Sequence, residues 1–360
     1  MSKILITGGA GFIGSNLIDY FLAQGHEVVC LDNLETGFEH NIEHNYENPK
    51  FTFIKGDIRD LEICNKAVEG CDVVSHQAAL GSVPRSIKDP SNTNSVNIDG
   101  FLNMLIASRD AGIKRFVYAA SSSTYGDSKK IPKVEDEIGK PLSPYAITKY
   151  VNELYADVFA KTYGMQCVGL RYFNVFGKRQ TPEGAYAAVI PLWVKMLINH
   201  QQPIINGDGS YSRDFTYVDN VIHANEQALF TEANQIFSGQ RNYYNLDFDN
   251  HKFLKQINKT VESLIGDINM EDYYFSEVFN VAYGGNTNLI DLLNSLKENL
   301  SKFDDLINNI NPIFGDYRIG DVPHSQASII KAKTILGYNP KFDADKGFEL
   351  AAEWYYNNIK

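Results

Sequence analysis

The chain has 360 residues, 44% of them hydrophobic, and a formal net charge of −11. That length is too great for one small core and predicts two domains, or one large domain with an elaborated half. The acidic balance argues against nucleic acid or an anionic membrane as the main partner, although a few local arginines could still form a basic pocket.

Cysteine usage and the N-terminal run lead to two further expectations. Cys30, Cys64, Cys71 and Cys167 are scattered, without a Cys-x-x-Cys pair or a Cys/His cluster, which predicts reduced thiols and no metal site. The apolar N-terminal run is soon broken by glycines, unlike a signal peptide, and no stretch is apolar over enough residues to span a bilayer. We therefore predict a cytoplasmic protein without a membrane partner.

Short apolar runs alternate with helical patterns through the first half of the chain. The first run, Lys3–Thr7, ends in glycines and is typical of a buried parallel strand. The other predicted strands are 27–32, 50–58, 72–79, 116–123 and 166–174, and the predicted helices are 12–24, 97–111 and 144–162. This alternation predicts an α/β fold built on a doubly wound parallel sheet.

The alternation fades beyond Gly177, where turn-rich segments become frequent. We predict that 1–177 is the sheet domain and that 178–360 is a smaller lobe, partly threaded back into the first domain. Within the lobe, 232–277 is polar and mixed, with a helix-like stretch at 253–265.

A glycine-rich turn, TGGAGFIG, joins the first predicted strand to the first predicted helix. Its Gly8, Gly11 and Gly14 let the backbone turn tightly and approach a pyrophosphate, whose charge a helix N-terminus favours. Asp32 ends the second strand, where a carboxylate can bond both ribose hydroxyls and would repel a 2′-phosphate, so NAD is favoured over NADP. The alternative, a plain glycine turn followed by a solvated aspartate, is disfavoured by the complete strand–loop–helix–strand–acid order.

Two more groups gain weight from that loop. Asp57 could meet the adenine amino group, and Gln77, Ala78 and Ala79 end the fourth predicted strand near the expected phosphates. Taken alone, each would more often be a turn or packing residue. With them, the sheet domain is predicted to be an NAD-binding domain of the Rossmann type.

The pattern Tyr-x-x-x-Lys recurs in the chain, so the pattern alone does not distinguish a reactive pair from ordinary helix surface. Tyr46 and Lys50 enclose a proline, and Tyr125 and Lys129 enclose turn residues, so neither pair is predicted to share a helix face. The remaining pair is in SPYAITK (143–149), and its context differs.

Tyr145 and Lys149 lie one turn apart in a predicted helix. Ser143 suits its N-cap, Pro144 its first position and Gly164 its end. The opposite face carries an apolar stripe, predicted to make the core contact: Ile147, Val151, Leu154 and Val158. The pair is thus not needed for packing.

Chemistry explains such a pairing. A free phenol, with a pKa of about 10, is a poor base near neutral pH. A nearby ammonium lowers that pKa, as would the positive nicotinamide of NAD, and the tyrosine could then take a hydroxyl proton while hydride leaves the carbon. The lysine could also hold a ribose hydroxyl. Serines 121–123, which end a strand in the same half, favour this hypothesis over a surface helix.

With these features the chain resembles the extended short-chain dehydrogenase/reductase superfamily and, within it, the UDP-N-acetylglucosamine 4-epimerases of the UDP-hexose 4-epimerase family. The likeness covers most of the chain. The motifs that carry it are QAALGSVPRS (77–86), AASSSTYGD (119–127), KPLSPYAITKYVNELYADVF (140–159), LRYFNVFGKRQ (170–180), GAYAAVIP (184–191), NGDGSYSRDFTYVDN (206–220) and RIGDVPHS (318–325).

The resemblance implies bound NAD and a cycle without net redox change on a UDP-sugar. Tyr145 would remove the C4 hydroxyl proton, and the 4-keto sugar would turn over before hydride returns to its other face. Ser121 corresponds to the serine that bonds the C4 oxygen, and Ser122 and Ser123 would touch sugar or nicotinamide. Related dehydratases carry Asp-Glu in place of Ser122-Ser123, which argues against dehydration.

The resemblance also implies the remaining site residues. Further cofactor contacts are Phe12, Ile13, Asn33, Gly37, Ile58, Lys149 and Val175. Arg213 and Arg318 would clamp the UDP pyrophosphate, although either alone would more often be a surface ion-pair partner. The other predicted substrate contacts are Gly81, Ser82, Asn174, Gln180, Ala188, Val189, Asp321 and Ser325. Ser325 is small, which favours N-acetylated sugars; alternatively it caps a helix predicted at 326–336.

Several alternatives stay open. The substrate could be UDP-glucuronate, a UDP-N-acetylhexuronate or UDP-glucose/galactose. A non-catalytic NAD-binding sensor is expected to lose the serine, tyrosine or lysine, and all three are present. The resemblance further implies a homodimer through 97–111 and 144–162. The family's pattern lacks an insert like 232–277, so either 242–248 or 278–285 is the strand expected near it.

Overall fold

This computed structural model describes residues 1–182, 188–244, 273–317 and 323–359. Its strands are β1 (Lys3–Thr7), β2 (Glu27–Asp32), β3 (Phe51–Lys55), β4 (Val73–His76), β5 (Arg115–Ser121), β6 (Gln166–Tyr172), β7 (Val175–Phe176), β8 (Ile204–Asn206), β9 (Ser212–Arg213), β10 (Thr216–Tyr217), β11 (Phe275–Val281), β12 (Thr287–Asn288), β13 (Ile313–Gly315) and β14 (His324–Ser325). Seven of them form one parallel sheet in the order β11-β6-β5-β4-β1-β2-β3, which confirms the predicted fold class.

Helices cover both faces of this sheet. They are α1 (Phe12–Ala23), α2 (Leu61–Val68), α3 (Val83–Lys88), α4 (Pro90–Asn94), α5 (Gly100–Asp110), α6 (Pro144–Tyr163), α7 (Val189–Ile198), α8 (Val218–Phe230), α9 (Ala233–Tyr243), α10 (Leu289–Leu300), α11 (Ile330–Leu336) and α12 (Ala344–Asn358). A π-helical turn, Ser95–Asp99, leads into α5. Among the described residues, none of these helices combines the length and apolar character that crossing a bilayer requires.

The first strand shows why its residues read as an unbroken apolar run. Ile4 and Ile6 join the core on the face that carries α1 and α8, whereas Leu5 joins the core on the face of α2, α5 and α6. Side chains alternate between the faces of a strand, and here both faces are covered. Ile4, Leu5 and Ile6 are therefore all apolar.

Some predicted strands extend beyond the observed ones. Predicted strand 50–58 continues past β3, and predicted strand 116–123 continues past β5. The extra residues form turns at the carboxyl edge of the sheet: Asp57 Oδ1 accepts a bond from the Arg59 N–H at 2.8 Å, and Ser122–Tyr125 form a 3₁₀ turn. These turns carry predicted site residues.

The predicted core stripe of α6 is wrong. Ile147, Leu154 and Val158 are 51%, 50% and 53% exposed. The helix instead packs through mainly small or polar buried side chains: Ala146, Thr148, Lys149, Asn152, Glu153, Ala156, Phe159 and Ala160. Small residues let α6 lie close to the sheet, so the larger apolar side chains are left on the outside.

The second half of the chain builds a lobe with its own core. Side chains of α7, α10 and α12 pack there, including Trp193, Leu292 and Phe348. The chain then returns to the central sheet, where β11 pairs in parallel with β6. β11 overlaps 278–285, one of the two segments predicted for this strand. The other segment, 242–248, begins at the end of α9 and continues outside the described residues, and the helix-like stretch 253–265 lies entirely outside them.

Candidate active site

A cavity of about 810 Å³ opens at the carboxyl edge of the central sheet. It brings together most residues predicted from the sequence. Predicted cofactor contacts in its wall are Gly8, Gly11, Phe12, Ile13, Gly14, Asp32, Asn33, Asp57, Ile58, Gln77, Ala78, Ala79, Tyr145 and Lys149, and predicted substrate contacts are Gly81, Ser82, Ser121, Gln180 and Ala188. Ligands of open α/β sheets bind at this edge.

The remaining predicted residues lie elsewhere. Those described but outside the cavity wall are Gly37, Ser122, Ser123, Asn174, Val175, Val189, Arg213 and Ser325. Arg318 and Asp321 lie outside the described residues. Within the described part of the chain, no three His, Cys, Asp or Glu side chains form a group that could hold a metal ion.

The glycine loop has the shape of a phosphate cradle. Gly8 has φ +66°, and a Cβ at Gly14 would lie 2.2 Å from the Gly8 carbonyl oxygen. Side chains are therefore excluded where the loop turns into α1. Gly11 is the N-cap of α1 without a side-chain cap, and the first turn has no acidic residue, so backbone N–H groups are left for an anion.

Asp32 is buried at the end of β2, with its carboxylate beside the loop. One oxygen accepts a bond from the Ala10 N–H at 2.9 Å and the other from the Leu34 N–H at 2.7 Å. Burial raises the pKa of this carboxyl, and the two backbone bonds oppose that shift. Gly37 packs against Ala10 of the glycine loop so closely that a Cβ at Gly37 would lie 2.8 Å from the Ala10 carbonyl carbon.

Asp57 is already engaged with other side chains. Its carboxylate accepts bonds from Arg59 Nε at 2.9 Å and from Asn33 Nδ2 at 2.9 Å. The hydrogen bond from Arg59 is the main reason that its pKa is lowered to about 2. An adenine amino group that binds Asp57 would therefore share an ionised carboxylate with Arg59 and Asn33.

Gln77 is fixed from two directions. Its Oε1 accepts a bond from the Tyr172 hydroxyl at 3.0 Å, and its Nε2 donates to Ser75 Oγ at 2.9 Å and to Asn225 Oδ1 at 3.1 Å. Asn225 lies on α8, far along the chain. The amide thus has one orientation in the cavity wall.

The start of α6 places Tyr145 in the cavity as its sequence predicts. Ser143 Oγ accepts a bond from the Ala146 N–H at 3.1 Å, Pro144 is the first helical residue, and Gly164 ends the helix at φ 70°. The Ser121 hydroxyl at the end of β5 lies in the same cavity wall and lowers the pKa of the phenol. The carboxyl end of β5 and the N-terminus of α6 therefore both contribute to this part of the cavity wall.

The serine after next occupies the acceptor side of the Ser121 hydroxyl. The N–H and hydroxyl of Ser123 both donate to Ser121 Oγ, at 3.1 and 2.9 Å. A serine oxygen has two lone pairs and one proton, so the proton of Ser121 is left for another acceptor. A bond from that proton to the Tyr145 oxygen would favour phenolate.

The expectation that Lys149 lowers the pKa of Tyr145 is wrong for this arrangement. Lys149 Nζ donates to the Ala119 carbonyl at 2.8 Å and lies 6.0 Å from the centre of the tyrosine ring. Burial raises the pKa of Tyr145, opposed by the Ser121 bond. Burial lowers the pKa of Lys149 to about 8, opposed by the charge of Glu153. Both shifts favour the neutral forms.

Three predicted substrate residues, Asn174, Arg213 and Ser325, are linked around Asp214. Asn174 Nδ2 donates to the Asp214 carbonyl at 3.1 Å, and the Asp214 N–H donates to the Ser325 carbonyl at 2.9 Å. Arg213 pairs with Ser325 between β9 and β14, and its Nη1 donates to the Pro323 carbonyl at 3.2 Å. Ser325 is a strand residue, so the alternative helix cap is wrong.

The cavity wall also contains Arg85 and Arg179, which the sequence patterns do not single out. Both lie inside motifs that carry the family resemblance, one in 77–86 and the other in 170–180. Their positive charge within these motifs is the sequence feature that could have identified them as site residues. Lys149 is a further cation in this wall.

Comparisons with known proteins agree with this geometry. The model of the NAD dependent epimerase/dehydratase family matches residues 4–239. The UDP-glucose 4-epimerase of Mycolicibacterium smegmatis is 31% identical, with 99% of each chain covered.

Two solved structures are similar over nearly the whole chain. The UDP-N-acetylglucosamine 4-epimerase of Methanobrevibacter ruminantium, in complex with UDP-N-acetylmuramic acid, has a TM-score of 0.81 at 32% identity, covering 99% of each chain. The UDP-glucuronic acid 4-epimerase of Bacillus cereus, in complex with UDP-glucuronic acid and NAD, has a TM-score of 0.77 at 28% identity, also covering 99% of each chain.

Proposed function

Because this chain belongs to the NAD dependent epimerase/dehydratase family and uses NAD as its cofactor, we propose that it is a UDP-sugar 4-epimerase that interconverts UDP-N-acetylglucosamine and UDP-N-acetylgalactosamine. The observation that carries this proposal is the meeting of Ser121, Tyr145 and Lys149 in one cavity with the glycine loop. Relatives named for the epimerisation of different UDP-sugars support the reaction class.

In this reaction the protein moves one proton at the C4 oxygen. Bound NAD supplies the acceptor, and later the donor, of the hydride at C4. Tyr145 accepts the hydroxyl proton as the 4-keto sugar forms and returns it when the turned sugar is reduced. Ser121 stabilises the phenolate by its hydrogen bond and orients the C4 oxygen, and Lys149 contributes positive charge at the same end of the cavity.

The positions of the carboxylates favour epimerisation over dehydration. The described acids of the cavity wall are Asp32, the last residue of β2, and Glu35 and Asp57, which follow β2 and β3. At the end of β5, the 3₁₀ turn carries Ser122 and Ser123. A dehydratase needs an acid–base pair to move the C5 proton and expel the C6 hydroxyl, and this turn offers hydroxyls instead.

Two arginines are proposed to anchor the UDP moiety. Arginine suits a diphosphate because its planar fork donates two bonds to phosphate oxygens. Arg213 on β9 would supply one anchor and Arg318 the other. A substrate held by its nucleotide leaves the sugar free to turn over.

The substrate assignment depends on the small side chain of Ser325. An acetamido group must fit in both orientations of the turning sugar and sweeps a larger volume than a hydroxyl. Ser325 lies next to Arg213 in the strand pair β9–β14. A large side chain at 325 would clash with the N-acetyl group in one orientation and would thereby select unacetylated sugars.

A panel of UDP-sugars tests the activity directly. Purified holoenzyme is incubated separately with UDP-N-acetylglucosamine, UDP-glucose and UDP-glucuronate, and the products are resolved by NMR. We expect conversion of all substrates at C4 only, with the largest kcat/KM for the N-acetylated sugar. A larger constant for UDP-glucuronate or UDP-glucose would assign the substrate to that alternative, and NAD-loaded protein that converts none of them would support the sensor alternative.

The Ser325→Tyr variant tests the substrate assignment. We expect the ratio of kcat/KM for UDP-N-acetylglucosamine to that for UDP-glucose to fall at least about tenfold, equivalent to about 1.4 kcal/mol, because the larger side chain would clash with the N-acetyl group. Ser238→Tyr, on the exposed face of α9, is the matched control and should keep the wild-type ratio. An unchanged ratio in well-folded Ser325→Tyr protein would reject this role.

The exposed stripe of α6 is proposed to be the interface of a homodimer. Three large apolar side chains of this helix, Ile147, Leu154 and Val158, are about half exposed, and contiguous exposed apolar surface is typical of interaction sites. We expect light scattering to find two chains per particle, and Leu154→Asp to yield monomers. Leu306→Asp, at another exposed leucine in the lobe, should remain dimeric.

A further inference from the structure

We propose that Arg179 binds a phosphate oxygen of the bound dinucleotide. Arg179 lines the cavity together with Gly11 and Phe12 of the glycine loop. Nη2 donates to Oδ2 of Asp19 at 2.5 Å, whereas Nη1 is buried and has no hydrogen-bond partner within the described part of the chain. A buried unpaired donor is unfavourable, and a charged one on a cavity wall favours an anionic acceptor.

The turn that carries Arg179 is tied to the start of α1. Asn16 Nδ2 donates to the Phe12 carbonyl at 2.8 Å and to the Lys178 carbonyl at 3.1 Å. Arg179 itself has φ +71°, in the left-handed region that residues with side chains rarely adopt. Strained backbone of this kind persists where the surroundings over-determine it, and it occurs preferentially at ligand sites.

Asp19 is the positioning residue for this guanidinium. While its Oδ2 accepts from Arg179, its Oδ1 accepts from His44 Nε2 at 2.8 Å and from Asn45 Nδ2 at 3.0 Å. The carboxylate is thus held from two sides and occupies one end of the guanidinium fork. The other end, Nη1, has no hydrogen-bond partner among the described residues, and Arg179 is part of the cavity wall.

The location of Arg179 favours the dinucleotide, and not the sugar nucleotide, as the ligand whose phosphate it binds. The N-terminus of α1 leaves backbone N–H groups for a phosphate, and its first turn has no charged residue. Arg179 is tied to that same turn through Asn16, while the proposed UDP anchor Arg213 lies in the lobe on β9. Arg179 would add the side-chain cation that the glycine loop itself lacks.

The rate at which holoenzyme loses NAD tests this proposal. Arg179→Met protein is diluted, and the nucleotide still bound per protomer is followed by ultrafiltration and release from heat-denatured protein. We expect loss about tenfold to a hundredfold faster than in the wild type, the usual effect of one hydrogen bond to a charged group. Lys178→Met is the matched control, with the same change of charge at the neighbouring residue, which lines a different cavity, and should release NAD at the wild-type rate.

A parallel titration of holoenzyme with UDP separates the two diphosphates. We expect Arg179→Met to leave UDP affinity unchanged; weaker UDP binding with unaltered NAD release would assign Arg179 to the sugar nucleotide and overturn the proposal. Unaltered release and UDP binding together with a lower Tm would make Arg179 purely structural and would overturn the proposal as well. Both measurements omit the sugar substrate, so they stand or fail independently of the proposed epimerisation.

Two more variants extend the test: a conservative change at Arg179, which is less disruptive to folding, and a change at Asp19, which tests its positioning role. Arg179→Lys keeps the charge but cannot bond Asp19 and a phosphate in the same fork geometry, so its NAD loss should lie between those of the wild type and Arg179→Met. A wild-type rate in Arg179→Lys would reject the arrangement in which one guanidinium bonds both Asp19 and a phosphate. Asp19→Asn should accelerate loss in the wild-type background and have no added effect in Arg179→Met protein, and equal effects in both backgrounds would exclude a positioning role.

Discussion

Tyr125 and Tyr145 each precede a lysine by four positions, and their surroundings differ in every respect that matters for chemistry. Tyr125 is 2% exposed in the core, and its hydroxyl donates to Asn280 Oδ1 at 2.6 Å. Its Lys129 lies in an exposed loop. Tyr145 begins a helix, faces the cavity and receives the Ser121 bond, with Lys149 buried one turn later.

The comparison shows that burial alone does not identify the reactive phenol. Burial raises the pKa of Tyr125 and of Tyr145 alike. The difference lies in the polar neighbours: Tyr125 donates its proton to the Asn280 amide oxygen, whereas the Ser121 hydroxyl lowers the pKa of Tyr145 and so favours phenolate. A phenol that accepts a bond beside a cavity can exchange its proton with a ligand, and one that donates into a packed core is structural.

The largest difference is expected in turnover after removal of each hydroxyl. Tyr145→Phe should lower kcat about a hundredfold to ten-thousandfold, because it deletes the acid–base group and keeps the ring. KM should change little, since the UDP anchor is untouched. Steady-state assays with UDP-N-acetylglucosamine measure both constants. Tyr125→Phe is the control, and an equal loss of kcat there would mean that the wrong tyrosine has been assigned.

The two lysines sharpen the comparison. Lys149→Met should lower kcat about tenfold to a thousandfold, because it removes the positive charge that Lys149 contributes at the reacting end of the cavity. Lys129→Met, in the exposed loop, should match the wild type. Comparable kcat values for Lys149→Met and wild type would show that the ammonium, bonded to Ala119, has no part in the proton transfer.

Much of the sheet half was predictable because its rules are local. Lys3–Thr7 and 27–32 match β1 and β2, since strands buried on both faces read as unbroken apolar runs. The glycine loop and the cap of α6 were likewise predictable, because Ser143 and Gly164 have local conformational requirements.

What was not predictable depends on contacts across the chain. Apolar spacing shows that α6 is amphipathic but not which face meets the sheet, so the stripe of Ile147, Leu154 and Val158 was assigned to the wrong side. The bonds of Gln77 to Asn225 and of Tyr125 to Asn280 join residues far apart in the sequence. No spacing pattern reports such pairs, nor the orientation of Arg179 toward the cavity.

We expect kcat to fall at alkaline pH because the buried Lys149 loses its proton there. The pKa of Lys149 is lowered to about 8 because burial disfavours its charge. The ammonium is therefore present below pH 8 and lost above it, and kcat should fall about tenfold per pH unit on the alkaline side if the charge is required. Lys149→Arg should remove this alkaline decrease from whatever activity remains, because guanidinium keeps its proton. A wild-type profile that is flat to about pH 10 would contradict the assignment.

The smallest expected effect is on the free energy of unfolding, which should separate Tyr125→Phe from Tyr145→Phe most clearly. Tyr125→Phe removes the donor to Asn280 Oδ1 and leaves a buried acceptor unpaired, since the Nδ2 of that amide already donates to the carbonyls of Lys133 and Ser328. An unpaired buried acceptor costs about 1–3 kcal/mol, so urea unfolding of the NAD-saturated protein should show a loss of that size, with kcat within about threefold of the wild type. Tyr145→Phe should lose less stability, because its oxygen faces the cavity, where water can replace the bond to Ser121. If Tyr145→Phe were the less stable variant, the structural role would have to be assigned to the cavity tyrosine, and the contrast between the two pairs would be lost.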